Sequence, residues 1–278
     1  MTAIERILCA LALTALAAAP PLPAQQEAQE PAPKRILFLG GSEGFAHDAV
    51  SHAMYTMAKI GEQCGCFEVR FHTDVELVTK QKLRGNKKNL DYFDAVMFYT
   101  QGDLPLSDEQ KADFMRFVRE DGKGVLIAHS GTDSFRESWP EYVEMAGGAF
   151  NHHPWHQPVK VVVDDRTFPA TRHLPPTFEI HDEIYQLNRY DRSKVRVLMR
   201  LDPSSVDLTK PNVERTDEDF ALAWAREWGG GRVFTTVLGH REEVWDRPEI
   251  QKMWLEAALW VFRVTEGETE PLELPSED

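Results

Sequence analysis

The stretch Gly124-Val125-Leu126-Ile127-Ala128-His129-Ser130-Gly131 ends an apolar run in an imidazole flanked by small residues. In an open α/β sheet, a buried strand emerges at such a point, the chain turns into a helix, and ligands bind. Where that turn carries a nucleophile, it holds up Ser or Cys. Here it holds up His129. Three further polar clusters fall at expected strand ends or loops. They are Gly44-Phe45-Ala46-His47-Asp48, then Asn151 to His156 with His181-Asp182-Glu183-Ile184-Tyr185, and Gly239-His240-Arg241. If the strands before His47, His129 and His240 are parallel, the three imidazoles meet at one sheet edge. Imidazoles with a carboxylate can bind a divalent metal or move protons without one. No HExxH or CxxC pattern selects the metal, and Pro154 between His152 and His156 opposes a helix that would align them. His52, His72 and His173 read as structural or surface groups. Trp139, Trp155, Tyr185 and Trp245 could stack on sugar rings, and core packing would explain them equally.

The elements that must position these residues follow a β-α-β rhythm. Strands are expected at Arg35 to Gly40, Phe67 to Phe71, Ala95 to Tyr99 and Val125 to Ala128. A helix is expected over residues 47–60, stopped by Gly61. A second begins at Ser107, with Gln110 completing a capping box. The second half is richer in strands: Val159 to Val163, Val195 to Leu201, Phe220 to Trp224 and Arg232 to Leu238. Gly229-Gly230-Gly231 is the turn of a final antiparallel pair. A last helix carries Ile250, Met253, Trp254, Ala257, Ala258 and Val261 on one stripe, with Pro248 in its first turn. The fold class is therefore α/β, an open and mostly parallel sheet flanked by helices.

Arg6, the apolar run from Ile7 to Ala19 and the exit near Ala24 read as a signal peptide over residues 1–24, with an uncleaved anchor as the alternative. The expected location is periplasmic or extracellular, with no stable membrane insertion once the signal is cleaved. Residues 25–33 read as a linker, 34–264 as one domain, and 265–278, with six acids and no base, as a disordered tail. A net charge of -14 argues against nucleic acid as a partner. Cys64 and Cys66 read as two separate thiols, since pairing them would close a very small ring, although a Cys-x-Cys metal site is conceivable. Gly40-Gly41-Ser42-Glu43-Gly44 lacks the GxGxxG spacing, and no nucleotide cofactor is expected.

In this order the motifs resemble the ThuA-like family, named for trehalose utilisation. Phe45-x-His47, the strand from Gly122 to Ser130, His153-Pro154-Trp155-His156-Gln157, Asp182-Glu183-Ile184-Tyr185 and Gly231 through His240 carry the resemblance. It implies a flavodoxin-like fold similar to class I glutamine amidotransferases, with His129 at the elbow where those enzymes hold Cys. Without the thiol, glutaminase chemistry is not expected. Phe168-Pro169 replaces the His-Pro frequent in the family. The resemblance implies an enzyme acting on glycosides or keto-sugars by elimination, hydration, isomerisation or hydrolysis. His129, His240 and Glu183 would then be catalytic groups or ligands of a divalent metal such as zinc. His47, Asp48, His153, Trp155 and Tyr185 would contact a small carbohydrate. A non-catalytic sugar-binding protein and a metal-dependent hydrolase of another substrate class stay open. So does a homo-oligomer formed through a strand edge or the tail.

Overall fold

The computed structural model describes residues 32–274. The expected signal peptide and residues 25–31 of the linker lie outside them. Among the described residues, no helix is long and apolar enough to cross a membrane.

The chain alternates strands and helices through its first half. β1 (Lys34–Leu39) leads to α1 (Ala49–Cys64), β2 (Phe67–His72), β3 (Ala95–Phe98), α2 (Asp108–Arg119) and β4 (Gly124–Ala128). α3 (Pro140–Ala146) precedes a run of strands: β5 (Ala149–Val163), β6 (Thr177–Asn188), β7 (Arg196–Leu201), β8 (Ala221–Trp228) and β9 (Gly231–Thr236). The short α4 (Glu242–Asp246) and α5 (Pro248–Val261) complete the helices. The nine strands form one sheet in the order β2-β1-β3-β4-β9-β8-β7-β5-β6. Every pairing from β2 to β9 is parallel, and every pairing from β9 to β6 is antiparallel.

Successive side chains of a strand face opposite ways, so both faces of the parallel half must be covered. Ile36, Phe38, Met97 and Leu126 pack with α1 and α5 on one face. Leu37, Leu39, Val96, Phe98, Val125 and Ile127 pack with α2 and α3 on the other. β3 and β4 are buried along their whole length, which is why they read as unbroken apolar runs. The capping box on α2 forms as expected. Ser107 Oγ accepts from Gln110 N, and Ser107 N donates to Gln110 Oε1.

Four expectations need correction. α1 runs through Gly61 to Cys64 and ends at Gly65, whose φ of 64° suits a left-handed C-cap. Gly61 is small for a packing reason, since a Cβ there would meet Phe67 O at 2.4 Å. Cys64 and Cys66 are joined as a disulfide across that same turn rather than remaining two thiols. Asn151 to His156 and His181 to Tyr185 are not loops but the interiors of β5 and β6. The acidic segment, read as disordered, is held against the domain as far as Leu272. Glu270 O accepts from Arg196, Leu272 O from Arg192, and Gly267 lies against Phe168.

Candidate active site

The parallel half brings the carboxyl ends of β1, β4 and β9 to one edge, where an open sheet binds its ligands. β4 and β9 are direct neighbours. His47 lies on the loop after β1, His129 follows β4 at once, and His240 follows β9. The convergence that the sequence made conditional therefore holds. Glu183 comes from β6, the far edge of the sheet in strand order. Register shifts in β5 at Phe150/His152 and His152/Trp155 mark irregularities of the kind that bend a ribbon. The β5–β6 ribbon returns over the strand ends and sets its carboxylate among the imidazoles.

Three atoms form a closed triangle. His240 Nδ1 is 3.1 Å from Glu183 Oε2 and 3.3 Å from His129 Nε2, which is itself 3.4 Å from the same Oε2. His47 is close enough that one ligand atom from each of the four residues lies within 4.8 Å of all the others. A tetrahedral zinc site with bonds of about 2.0–2.1 Å has donor atoms about 3.3 Å apart. The donor set, three imidazoles and one carboxylate, and its spacing both fit such a cation.

The protonation pattern agrees. His129 is fully buried and adopts φ 42°, a left-handed backbone rare for a non-glycine residue. Its Nδ1 lies 2.7 Å from Val237 O, which can only accept, so Nδ1 carries the proton and Nε2 offers a lone pair. That lone pair faces the Glu183 carboxylate, a repulsive contact unless a cation or proton is shared between them. Burial, then the neighbouring His129 and His240, push His47 down to about 3, so it stays neutral. The hydrogen bond to Glu183 raises His240. Burial alone would raise Glu183, but the imidazoles around it, with His240 donating to it, outweigh that and hold the carboxyl well below its usual range.

Neighbouring residues fix this geometry. Asp182 Oδ2 accepts from Gly239 N at 2.6 Å, and its Oδ1 accepts from Arg241 N at 3.1 Å, so it grips the loop carrying His240 from both sides. Burial raises the Asp182 carboxyl, and these backbone donors oppose that rise. Gly239 O accepts from both Tyr99 Oη and Trp245 Nε1. Gly239 itself takes φ 117°, which favours glycine. The sequence reading passed over Asp182 as a positioning residue. Its only signal is adjacency to Glu183 in a strand, where consecutive side chains point apart.

Two cavities open beside the triangle. One, of about 570 Å³, is lined by Phe45, His47, Asp48, His156, His240 and Arg241. The other, of about 280 Å³, is lined by Phe45, His47, Asp133, Phe150, His153, Glu183, Tyr185 and His240. His153 Nδ1 is 3.3 Å from Glu183 Oε1, on the side of the carboxylate away from the triangle. Tyr185 packs its ring on His129 at 4.1 Å between centroids. Phe45 is 63% exposed at the mouth of both cavities. His47, Asp48, His153 and Tyr185 thus lie where a ligand could touch them. Trp155 does not. It is fully buried, with Nε1 donating to Asp207 O, so its expected role in stacking on a substrate is withdrawn. Trp139 and Trp245 are buried as well. His52 and His173 pair with Asp246 and Glu249 O, outside this constellation.

A family model described as ThuA, trehalose utilisation, matches residues 35–261. Among solved structures, a protein described as ThuA-like from Bacteroides uniformis ATCC 8492 superposes with a TM-score of 0.68 at 23% identity, covering 86% of this chain and 95% of that one. Another so described, from Parabacteroides merdae ATCC 43184, gives 0.65 at 18% identity over 88% and 95%. A cytoplasmic protein from Salmonella typhimurium LT2 gives 0.53 at 11% identity over 82% and 99%. At these identities the likeness is one of fold. No curated protein matches the sequence.

Proposed function

The chain belongs to the ThuA family, and from that premise we propose that it is a carbohydrate-active enzyme, acting on glycosides or keto-sugars, whose His47, His129, Glu183 and His240 hold a divalent cation such as zinc. The observation that carries the reading is the closed triangle of donor atoms at 3.1, 3.3 and 3.4 Å. A cation held there would supply Lewis-acid polarisation of a sugar carbonyl or of a water. The protein's own groups supply the rest. His47, kept neutral, and His129, committed to one tautomer, offer lone pairs without first losing a proton. His153 stands on the cavity side of Glu183, placed to hold or move a proton at a carbon next to a carbonyl. The aromatic wall of Phe45, Phe150 and Tyr185 suits the apolar face of a sugar ring. The N-terminal segment adds the proposal that the reaction takes place outside the cytoplasm.

Elemental analysis of the purified protein and of His129→Ala tests the centre. Close to one equivalent of a divalent ion in the wild type, lost in the variant, is the expected result. No metal in either overturns the metal-centred reading. Turnover of a panel of keto-glycosides tests the substrate class. His129→Ala should reduce the rate by orders of magnitude with the fold intact, whereas a sugar-binding protein would turn over nothing and lose at most modest affinity.

A further inference from the structure

A third and smaller chamber adjoins the two cavities. It has a volume of about 60 Å³, room for one or two water-sized groups, and is lined by Gly40, Gly41, Phe45, His47, Gln101 and Ser130 among others. Two of its residues carry buried oxygens with no hydrogen-bond partner among the described residues, Ser130 Oγ and Gln101 Oε1. Ser130 is 1% exposed and directly follows His129 at the turn after β4. Gln101 is fixed by donating Nε2 to Asp133 Oδ2 at 2.9 Å, which leaves its carbonyl oxygen as a pure acceptor.

Buried polar atoms are nearly always satisfied, so two orphans on residues of one water-sized chamber mark a place that an ordered water fills in the free protein and that a ligand group displacing it must satisfy in its stead. The Ser130 hydroxyl can donate and the Gln101 carbonyl can only accept. The group that completes such a pair accepts one hydrogen bond and donates another through a single small atom. A hydroxyl does this. A carbonyl oxygen lacks the donor and an ammonium lacks the acceptor. The chamber shares Phe45 and His47 with both larger cavities, so it borders the place where substrate would lie.

We infer that Ser130, with Gln101, is a specificity-determining residue that reads one hydroxyl of a carbohydrate entering the chamber beside His47. The inference rests on the carbohydrate reading above. A site built to hydrogen-bond a hydroxyl rejects the analogue lacking it, because its own buried groups are then left unpaired.

The test is calorimetric binding of trehalose and each of its monodeoxy analogues to the wild type and to Ser130→Ala. The wild type should bind one deoxy analogue at least tenfold more weakly than trehalose. Ser130→Ala should bind trehalose about tenfold more weakly and no longer distinguish that analogue from it, while its preferences at the other positions persist. The variant removes an oxygen that has no partner, so its melting temperature should not fall. A wild type that discriminates at no single position, or a Ser130→Ala whose discrimination is unchanged, overturns the assignment of Ser130 and leaves the carbohydrate reading standing. A wild type that binds no sugar of the series overturns the assignment as made for trehalose, and the keto-glycoside panel above then decides separately whether the carbohydrate reading falls with it.

Discussion

The chemistry turns on which atoms hold protons. Because His129 Nδ1 keeps its proton and donates it in a hydrogen bond to Val237 O, Nε2 confronts the Glu183 carboxylate with a lone pair. A cation relieves that contact only if the carboxylate keeps its charge. Glu183→Gln preserves the shape and removes the charge. It should abolish stoichiometric metal and lower kcat by about 10²–10⁴-fold, measured by elemental analysis and steady-state kinetics. Full metal and rate in the variant would remove Glu183 from the centre. Phe45→Ala should behave differently. Its ring is 63% exposed and its aromatic neighbours are the imidazoles of His47 and His240, so the melting temperature should hold while KM rises and kcat stays nearly constant. Equal losses in both parameters would instead place Phe45 at the transition state. At this scale the sequence was half legible. His129 and His240 could be picked out because a buried strand delivers each of them. Trp155 misled because residue type does not say whether an aromatic ring faces a cavity or, as here, the backbone at Asp207.

Elements that owe their pattern to burial were readable, and those bent to serve the site were not. β3 and β4 are apolar runs because helices cover both faces. β6 escaped notice because Asp182, Glu183 and Gln186 interrupt its apolar pattern at buried positions. Gly61 was taken for a helix stop, whereas α1 continues through it and uses the missing side chain to approach β2. Gly61→Ala therefore sets two effects against each other. Helix propensity favours alanine by about 1 kcal/mol, while forcing a Cβ into backbone costs about 1–3 kcal/mol. The clash with Phe67 O should win, shifting the urea midpoint downward, and an upward shift would mean that the two elements can separate freely. α2 offers a pH-dependent counterpart. Burial would raise the Asp113 carboxyl, but donors from Lys80 N, Thr79 Oγ1 and Arg116 prevail and lower it. A lowered folded-state value contributes stability above the ordinary aspartate pKa of about 4 and loses it as pH falls through the folded value. Asp113→Asn should accordingly cost about 1–3 kcal/mol at pH 7, and the gap to wild type should narrow below about pH 4. A gap that is constant with pH would deny the charge any part.

Across the whole molecule, the parallel half supplies the imidazoles and the antiparallel half supplies the carboxylate, so the site exists only when the two halves are closed on one another. The C-terminal segment bears on that closure. Its composition, acids without bases, suggested a chain that would stay in solvent. Its backbone explains the opposite outcome. Carbonyl oxygens of Thr265, Glu270 and Leu272 accept from Arg232, Arg196 and Arg192, which lie on or beside β9 and β7, and Glu266 adds its carboxylate to Arg232. Arg196 and Arg232 are only 9% and 5% exposed, so they cannot turn to water when these partners leave. Composition counts side-chain charges and is blind to acceptors that every residue carries, which is why the attachment was not legible. Ending the chain after Val264 removes one acceptor or more from each arginine, while Asp164, Asp165, Asp219 and Trp260 O remain as partial partners. A loss of about 2–4 kcal/mol is expected. That corresponds to a melting temperature roughly 5–15 °C lower for a domain of this size. Because the segment contributes no donor to the triangle, the metal content of the shortened protein should match that of the full chain well below its melting point. An unchanged melting temperature would show that these arginines are satisfied without the segment, and a loss of metal at low temperature would tie the segment to the site itself.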